Sequence, residues 1–146
     1  MAANKSGRTR LAALGVAAAS LLVTLPALAT AARAPTLGER AGIRQALFDD
    51  VRAHRKPQHP VITRISVSTV RLGHPAGKNR YVEFARVDLS DPQAGYAAAL
   101  LGYYVASISG WRVLDLGSSE VGCKVSSKVF RGRKRAVMRD LKLSCP

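Results

Sequence analysis

Apolar residues recur at four-residue spacing early in the chain, at Ile43, Leu47 and Val51, with Ala46 beside them. That repeat places them on one stripe of an α-helix. Arg40, Arg44, Asp49 and Arg52 fall mostly on its other faces. Thr36-Leu37-Gly38-Glu39 supplies a start signal. It is a capping box, in which the threonine hydroxyl accepts from the Glu39 amide while the glutamate reaches back to the Thr36 amide. The helix is therefore expected from Leu37 to His54. Arg55-Lys56-Pro57-Gln58-His59-Pro60 ends it, because prolines bias their predecessors away from helix.

A period of two then takes over. From Val61 to Leu72, Val61, Thr63, Ile65, Val67 and Thr69 alternate with Arg64, Ser66 and Ser68, the pattern of a half-buried strand. The turn-rich loop Gly73–Asn79 leads to a second strand, Tyr81–Leu89, and Ser90-Asp91-Pro92-Gln93 turns the chain again. Gly95–Ile108 is ambiguous. Ala97 to Leu101 would suit a helix, whereas Tyr103, Tyr104, Val105 and Ile108 favour a strand. Strand is preferred, because Ser109-Gly110 then makes a short turn into a fourth strand, Trp111–Leu116, with Trp111, Val113 and Asp115 on one face. Arg133–Leu141 reads as a last helix, with Val137, Met138 and Leu141 facing inward. The order defines an α+β fold: an N-terminal helix packed on a four-stranded antiparallel meander sheet, then a short C-terminal helix.

The first residues change the picture of where this domain works. Lys5, Arg8 and Arg10 precede a charge-free stretch, Leu11–Leu28, and Ala27-Leu28-Ala29 offers small residues for cleavage. This is the layout of a secretory signal peptide over residues 1–29. An uncleaved membrane anchor is the alternative, disfavoured by Pro26 and the run of alanines. Residues 30–35 are expected to be a disordered linker, and 36–146 a single domain. In a secreted or extracellular protein, the lone pair Cys123 and Cys145 reads as one disulfide. Such a link stabilises by roughly 3 kcal/mol in a loop-entropy model. Neither Cys-x-x-Cys nor Cys/His spacing is present, so redox and metal roles are not indicated, and no cofactor motif is found.

The chain carries a formal charge of +14 from 23 basic and 9 acidic residues, and loss of Lys5, Arg8 and Arg10 would leave about +11. For an exported protein that excess favours an anionic cell-wall polymer or a membrane surface as partner over nucleic acid. The densest cluster is Lys128, Arg131, Arg133, Lys134, Arg135, Arg139 and Lys142, a candidate polyanion-binding segment. Its one aromatic neighbour is Phe130, which disfavours a stacking platform for single strands.

Trp111-Arg112-Val113-Leu114-Asp115-Leu116-Gly117-Ser118-Ser119-Glu120-Val121-Gly122-Cys123, with the closing Leu141-Lys142-Leu143-Ser144-Cys145-Pro146, carries a resemblance. It resembles small secreted actinobacterial proteins ending in W-x-V-x-D-x-G-S-S-x-x-G-C and D-L-x-L-x-C. The resemblance implies a cystatin-like or NTF2-like architecture and brings no assigned activity, and fold alone supplies none. A cystatin-type inhibitor would need Gln-x-Val-x-Gly, but the comparable hairpin reads Val105-Ala106-Ser107-Ile108-Ser109-Gly110-Trp111. An NTF2-like enzyme would place an acid and a tyrosine in one pocket, for which Asp88, Asp115, Tyr103 and Tyr104 are the candidates. Ser118-Ser119 lacks the Gly-x-Ser-x-Gly setting of a nucleophile. With no catalytic constellation, the expectation is a non-enzymatic binding domain. A small enzyme with a helix–sheet pocket and a secreted protease inhibitor are the alternatives.

Overall fold

The computed structural model describes residues 31–54, 60–73, 80–91 and 95–146. The leader at 1–29 and much of the expected loops at 55–60, 73–79 and 90–93 lie outside these residues. The elements are α1 (Leu37–His54), β1 (Val61–Val67), β2 (Arg80–Asp91), β3 (Gly95–Val105), β4 (Gly110–Gly117) and α2 (Lys134–Asp140). The strands form one antiparallel sheet in the order β1-β2-β3-β4, the expected meander. Ala97 to Leu101 lie in β3, paired with β2 throughout and with β4 from Ala98 on, so the strand reading holds over the helix.

The capping box forms as expected. Thr36 N–H donates to Glu39 Oε2 at 2.7 Å, and the Glu39 amide donates to Thr36 Oγ1 at 3.3 Å. Ile43, Leu47 and Val51 are the buried residues of α1. They pack on Val67, Ala85, Val87, Leu89, Ala99, Leu101 and Trp111 from one face of the sheet. The opposite face is also covered. Phe84, Ala98 and Leu100 meet Val121, Phe130, Val137, Met138 and Leu141 from the C-terminal segment. Coverage on both sides explains why Ala97–Leu101 is a continuous apolar run, since a strand buried on two faces has no solvent side to mark with polar residues. The inward set expected for α2 is therefore correct, and it faces away from α1.

Two bulges correct the expected strand faces. The register slips between Ile62 and Arg64, so Ile62 joins Ile65 and Val67 on the α1 side. Val61 is left 58% exposed and Thr63 is exposed too. A second slip opposes Leu101 to Val113 but Leu100 to Asp115, with Leu114 as the extra residue. An inserted residue reverses the alternation beyond it. Asp115 therefore lies on the opposite face from Trp111 and Val113.

β1 also ends earlier than expected, at Val67 rather than Leu72. The cause is competition for backbone donors by a buried carboxylate. Asp140 Oδ2 accepts from Ser68 Oγ and Thr69 N, both at 2.7 Å, and from Thr69 Oγ1 at 3.1 Å. The Val70 amide turns to Ser68 Oγ at 3.1 Å. The ladder survives only at Ser68 N to Phe84 O and Leu72 N to Val82 O.

Residues expected to form a linker make contacts of their own. Arg33 and Val67 exchange two backbone hydrogen bonds of 2.8 Å at the outer edge of β1, and Ala32 packs on the second core.

The Cys123–Cys145 disulfide is present, with Cα atoms 5.5 Å apart, inside the usual range. A Schellman turn after α2 aims the chain at it. Leu143 N–H bonds Met138 O at 2.8 Å and Lys142 N–H bonds Arg139 O at 3.1 Å. Lys142 takes the left-handed conformation, φ 53°, where glycine is the usual occupant. No helix among the described residues is long and apolar enough to cross a membrane.

Candidate functional site

The four residues proposed from sequence for an enzyme pocket do not converge. Tyr103 faces α1 and meets Trp111 edge-on, with ring centroids 5.5 Å apart. Tyr104 lies on the other face, beside Tyr81 at 5.0 Å, with the Arg112 guanidinium 4.2 Å from its ring. Asp88 is buried there and accepts from Arg86 Nε at 2.6 Å. Asp115 accepts the Gly122 amide at 2.6 Å, which fixes the turn before Cys123. Asp88 and Asp115 are thus engaged in holding a guanidinium and backbone, and neither lines the cleft that Tyr103 lines. Among the described residues no three His, Cys, Asp or Glu side chains converge as metal ligands. Ser118 and Ser119 lie exposed in a bend.

Most side chains of the basic segment are exposed: Lys128, Arg131, Arg133, Arg135, Arg139 and Lys142. Among the described residues no carboxylate lies within ion-pair distance of them. Between Lys124 and Lys142 the one acidic residue is Asp140, which is buried beneath the surface. Arg135 and Arg139 stand one turn apart on α2 beside a hollow of about 600 Å³, floored by Met138 and Leu143. Lys134 differs from the rest. Its ammonium donates to Cys123 O at 2.6 Å and Val125 O at 2.7 Å, so it ties the loop to α2. Arg131 likewise donates to Gly73 O at 2.6 Å. Sequence spacing could not separate these anchoring cations from the exposed ones, because their acceptors are backbone carbonyls.

A second site was not visible in the sequence. Between α1 and the sheet is an open cleft of about 550 Å³, lined by Glu39, Asp49, Glu83, Tyr103 and Trp111, with Gly42 in its wall. A Cβ on Gly42 would stand 2.9 Å from Trp111 Cδ1, so only glycine lets the helix lie this close to the indole. Two of the acids are fixed by guanidinium groups outside the lining. Arg33 holds Glu39 through both carboxylate oxygens, and Arg71 meets Glu83 at 2.9 Å. Asp49 accepts from Gln45 Nε2 at 2.9 Å. Glu39 was read only as a cap and Trp111 only as the start of the fourth strand. Their meeting depends on long-range register, which no local spacing encodes.

Arg33, followed by the Thr36 amide and hydroxyl, holds the Glu39 carboxyl down at about 2, from an ordinary 4.5, against the opposing effect of its partial burial. A lowered carboxyl pKa stabilises the fold above the unfolded value, and the contribution is lost as pH falls toward the folded one. Arg33→Ala is therefore expected to lower the melting temperature at neutral pH. The gap from wild type should shrink as pH falls from about 4.5 to about 2. Thermal melts across that window check it, and a gap independent of pH would contradict the pairing.

The architecture is thus an α+β domain whose sheet separates a carboxylate-lined cleft from a cationic surface. Compared with known proteins, the chain matches no family model, no curated protein and no solved structure.

Proposed function

We propose that the protein is an exported, non-enzymatic domain that binds a phosphate-bearing polymer of the cell envelope through its basic C-terminal face. Export is supported by the leader pattern of Lys5, Arg8, Arg10 and Leu11–Leu28, and by a disulfide of the kind that persists in oxidising compartments. The observation that carries the binding reading is the lack of carboxylate partners for Arg133, Arg135 and Arg139, all exposed on and beside α2. Guanidinium groups in that state pair with phosphate through charge-assisted hydrogen bonds, and neighbouring groups along a polymer add to one another.

The reading predicts retention on purified anionic wall material that weakens as salt rises, because screening shortens the reach of exposed charge. The triple variant Arg133→Ala, Arg135→Ala, Arg139→Ala should elute at clearly lower salt. Its melting temperature should stay near wild type, since none of the three side chains makes a hydrogen bond or ion pair among the described residues. Equal retention of the triple variant would refute the proposal. Binding to anionic vesicles with none to wall polymer would replace the polymer with a lipid surface.

A further inference from the structure

We infer that the cleft between α1 and the sheet is a second binding site, for a small hydroxylated organic ammonium such as an amino alcohol or an amino sugar. The inference is independent of the basic face, which lies on the other side of the sheet. Three observations meet in this cleft.

The first is electrostatic. In a chain of formal charge +14, the described lining holds three carboxylates, Glu39, Asp49 and Glu83, and no lysine or arginine. The guanidinium groups of Arg33 and Arg71 pair with two of these acids from outside the lining. They orient the carboxylates and leave their remaining lone pairs for the cleft. Arg40 and Arg44 lie outside the lining and are exposed, while Arg52, also outside it, stands 3.9 Å from Asp49 Oδ1. Within the lining a cation meets carboxylate acceptors already held in place and no cationic side chain.

The second observation is the aromatic wall. Trp111 and Tyr103 stand edge to face in the wall, and the Gly42 backbone packs close against the indole, which is 9% exposed. Gly38, Gly42 and Ala46 follow at four-residue intervals, so the helix presents its smallest residues to the cleft. An ammonium next to such rings is attracted by their negative faces as well as by the acids.

The third is an unmet donor. Trp111 is 9% exposed, and its Nε1–H has no hydrogen-bond partner among the described residues. Among those residues, the one fully buried side-chain polar atom without a partner is Asp140 Oδ1. The Trp111 nitrogen therefore keeps some solvent contact, in a residue that lines the cleft. A ligand that displaces water from this donor must offer it an acceptor in return. The ligand thus needs a hydroxyl or ether oxygen as well as a positive charge. The cleft volume, about 550 Å³, lies in the ordinary range of small-molecule sites. Leu37 and Ile108, the chain neighbours of the lining residues Gly38 and Ser109, are 86% and 80% exposed. They give the mouth an apolar edge.

Trp111 is the only tryptophan, so its fluorescence and its single indole N–H resonance report directly on the cleft. The disulfide-intact protein should be titrated with choline and with glucosamine. The neutral analogues 3,3-dimethylbutan-1-ol and glucose serve as controls. The expected result is a saturable fluorescence change with at least one ammonium, and binding about tenfold weaker or less for its neutral counterpart. The indole N–H should shift further with that ligand than with tetramethylammonium, which has no acceptor. Asp49→Asn, at an exposed position, should weaken binding by roughly threefold to tenfold while the fold is retained. Arg135→Ala with Arg139→Ala should leave it unchanged, so failure here is distinct from failure of the polymer reading. Saturation by choline alone would identify an amino-alcohol site, and by glucosamine alone an amino-sugar site. The inference falls if neither ammonium saturates, if the neutral analogues bind equally, or if Asp49→Asn has no effect.

Discussion

Replacing Phe130 by alanine should cost about 3–5 kcal/mol, the range for emptying a large aromatic site in a packed core. The ring is fully buried and stacks on Phe84, with centroids 4.8 Å apart and planes 25° from parallel. Its importance comes from the backbone around it, which has no sheet to belong to. Phe130 N–H bonds Ser127 O at 3.2 Å and Arg133 N–H bonds Phe130 O at 2.9 Å, a succession of turns. Such a segment is held down by its side chains, and Phe130 is the largest of them to be fully enclosed. Urea denaturation followed by circular dichroism would measure the loss. A fall in the midpoint at constant slope indicates a cavity, whereas a shallower slope indicates a tail already loosened in the native state. A cost below about 1 kcal/mol would mean that the C-terminal segment does not pack on this face of the sheet.

Removing the disulfide, by Cys123→Ser with Cys145→Ser, should cost roughly 3 kcal/mol for a loop of 22 residues. The effect is expected to be local at first. Cys123 follows Gly122, which sits at φ 83° with Leu100 and Met138 within 3 Å of where a Cβ would be. The link therefore clamps a tight crossing of the tail over β3. Hydrogen exchange should show early loss of protection between Val121 and Leu143, with the amides of α1 and the strand centres unaffected. Equal loss across both cores would show instead that the domain opens as one unit. Because Phe130 and the disulfide restrain the same segment, combining the two changes should cost less than their sum.

The sequence made much of this architecture legible, for identifiable reasons. α1 could be read because its start signal and its stripe are local: Thr36 with Glu39, then Ile43, Leu47 and Val51. The meander followed from alternation and from turn residues between the strands. The bulges at Ile62–Arg64 and Leu100–Leu101 could not be read, because they depend on which residues stand opposite. That is why Asp115 was assigned to the wrong face. The early end of β1 was hidden for a similar reason, since Asp140 reaches Ser68 and Thr69 from a residue 72 and 71 positions away in the chain. The basic surface was visible as composition, though the separate anchoring duty of Lys134 was not. The cleft was the least legible feature, being assembled from α1, β2, β3 and β4 at once.

The placement of charge on the two sides of the sheet has a mechanical consequence. Arg40, Arg44 and Arg52 on α1 face Glu39, Asp49 and Asp50 on the same helix, so that layer is close to neutral. From Lys124 to Lys142 the tail carries its cations against Asp140 alone. Between these two elements the charge is therefore unevenly placed across the sheet. Near a negatively charged surface the molecule experiences a torque as well as an attraction, and both fade with salt. On such a surface the tail side is expected to face down, which would leave the mouth beside Trp111 toward the medium.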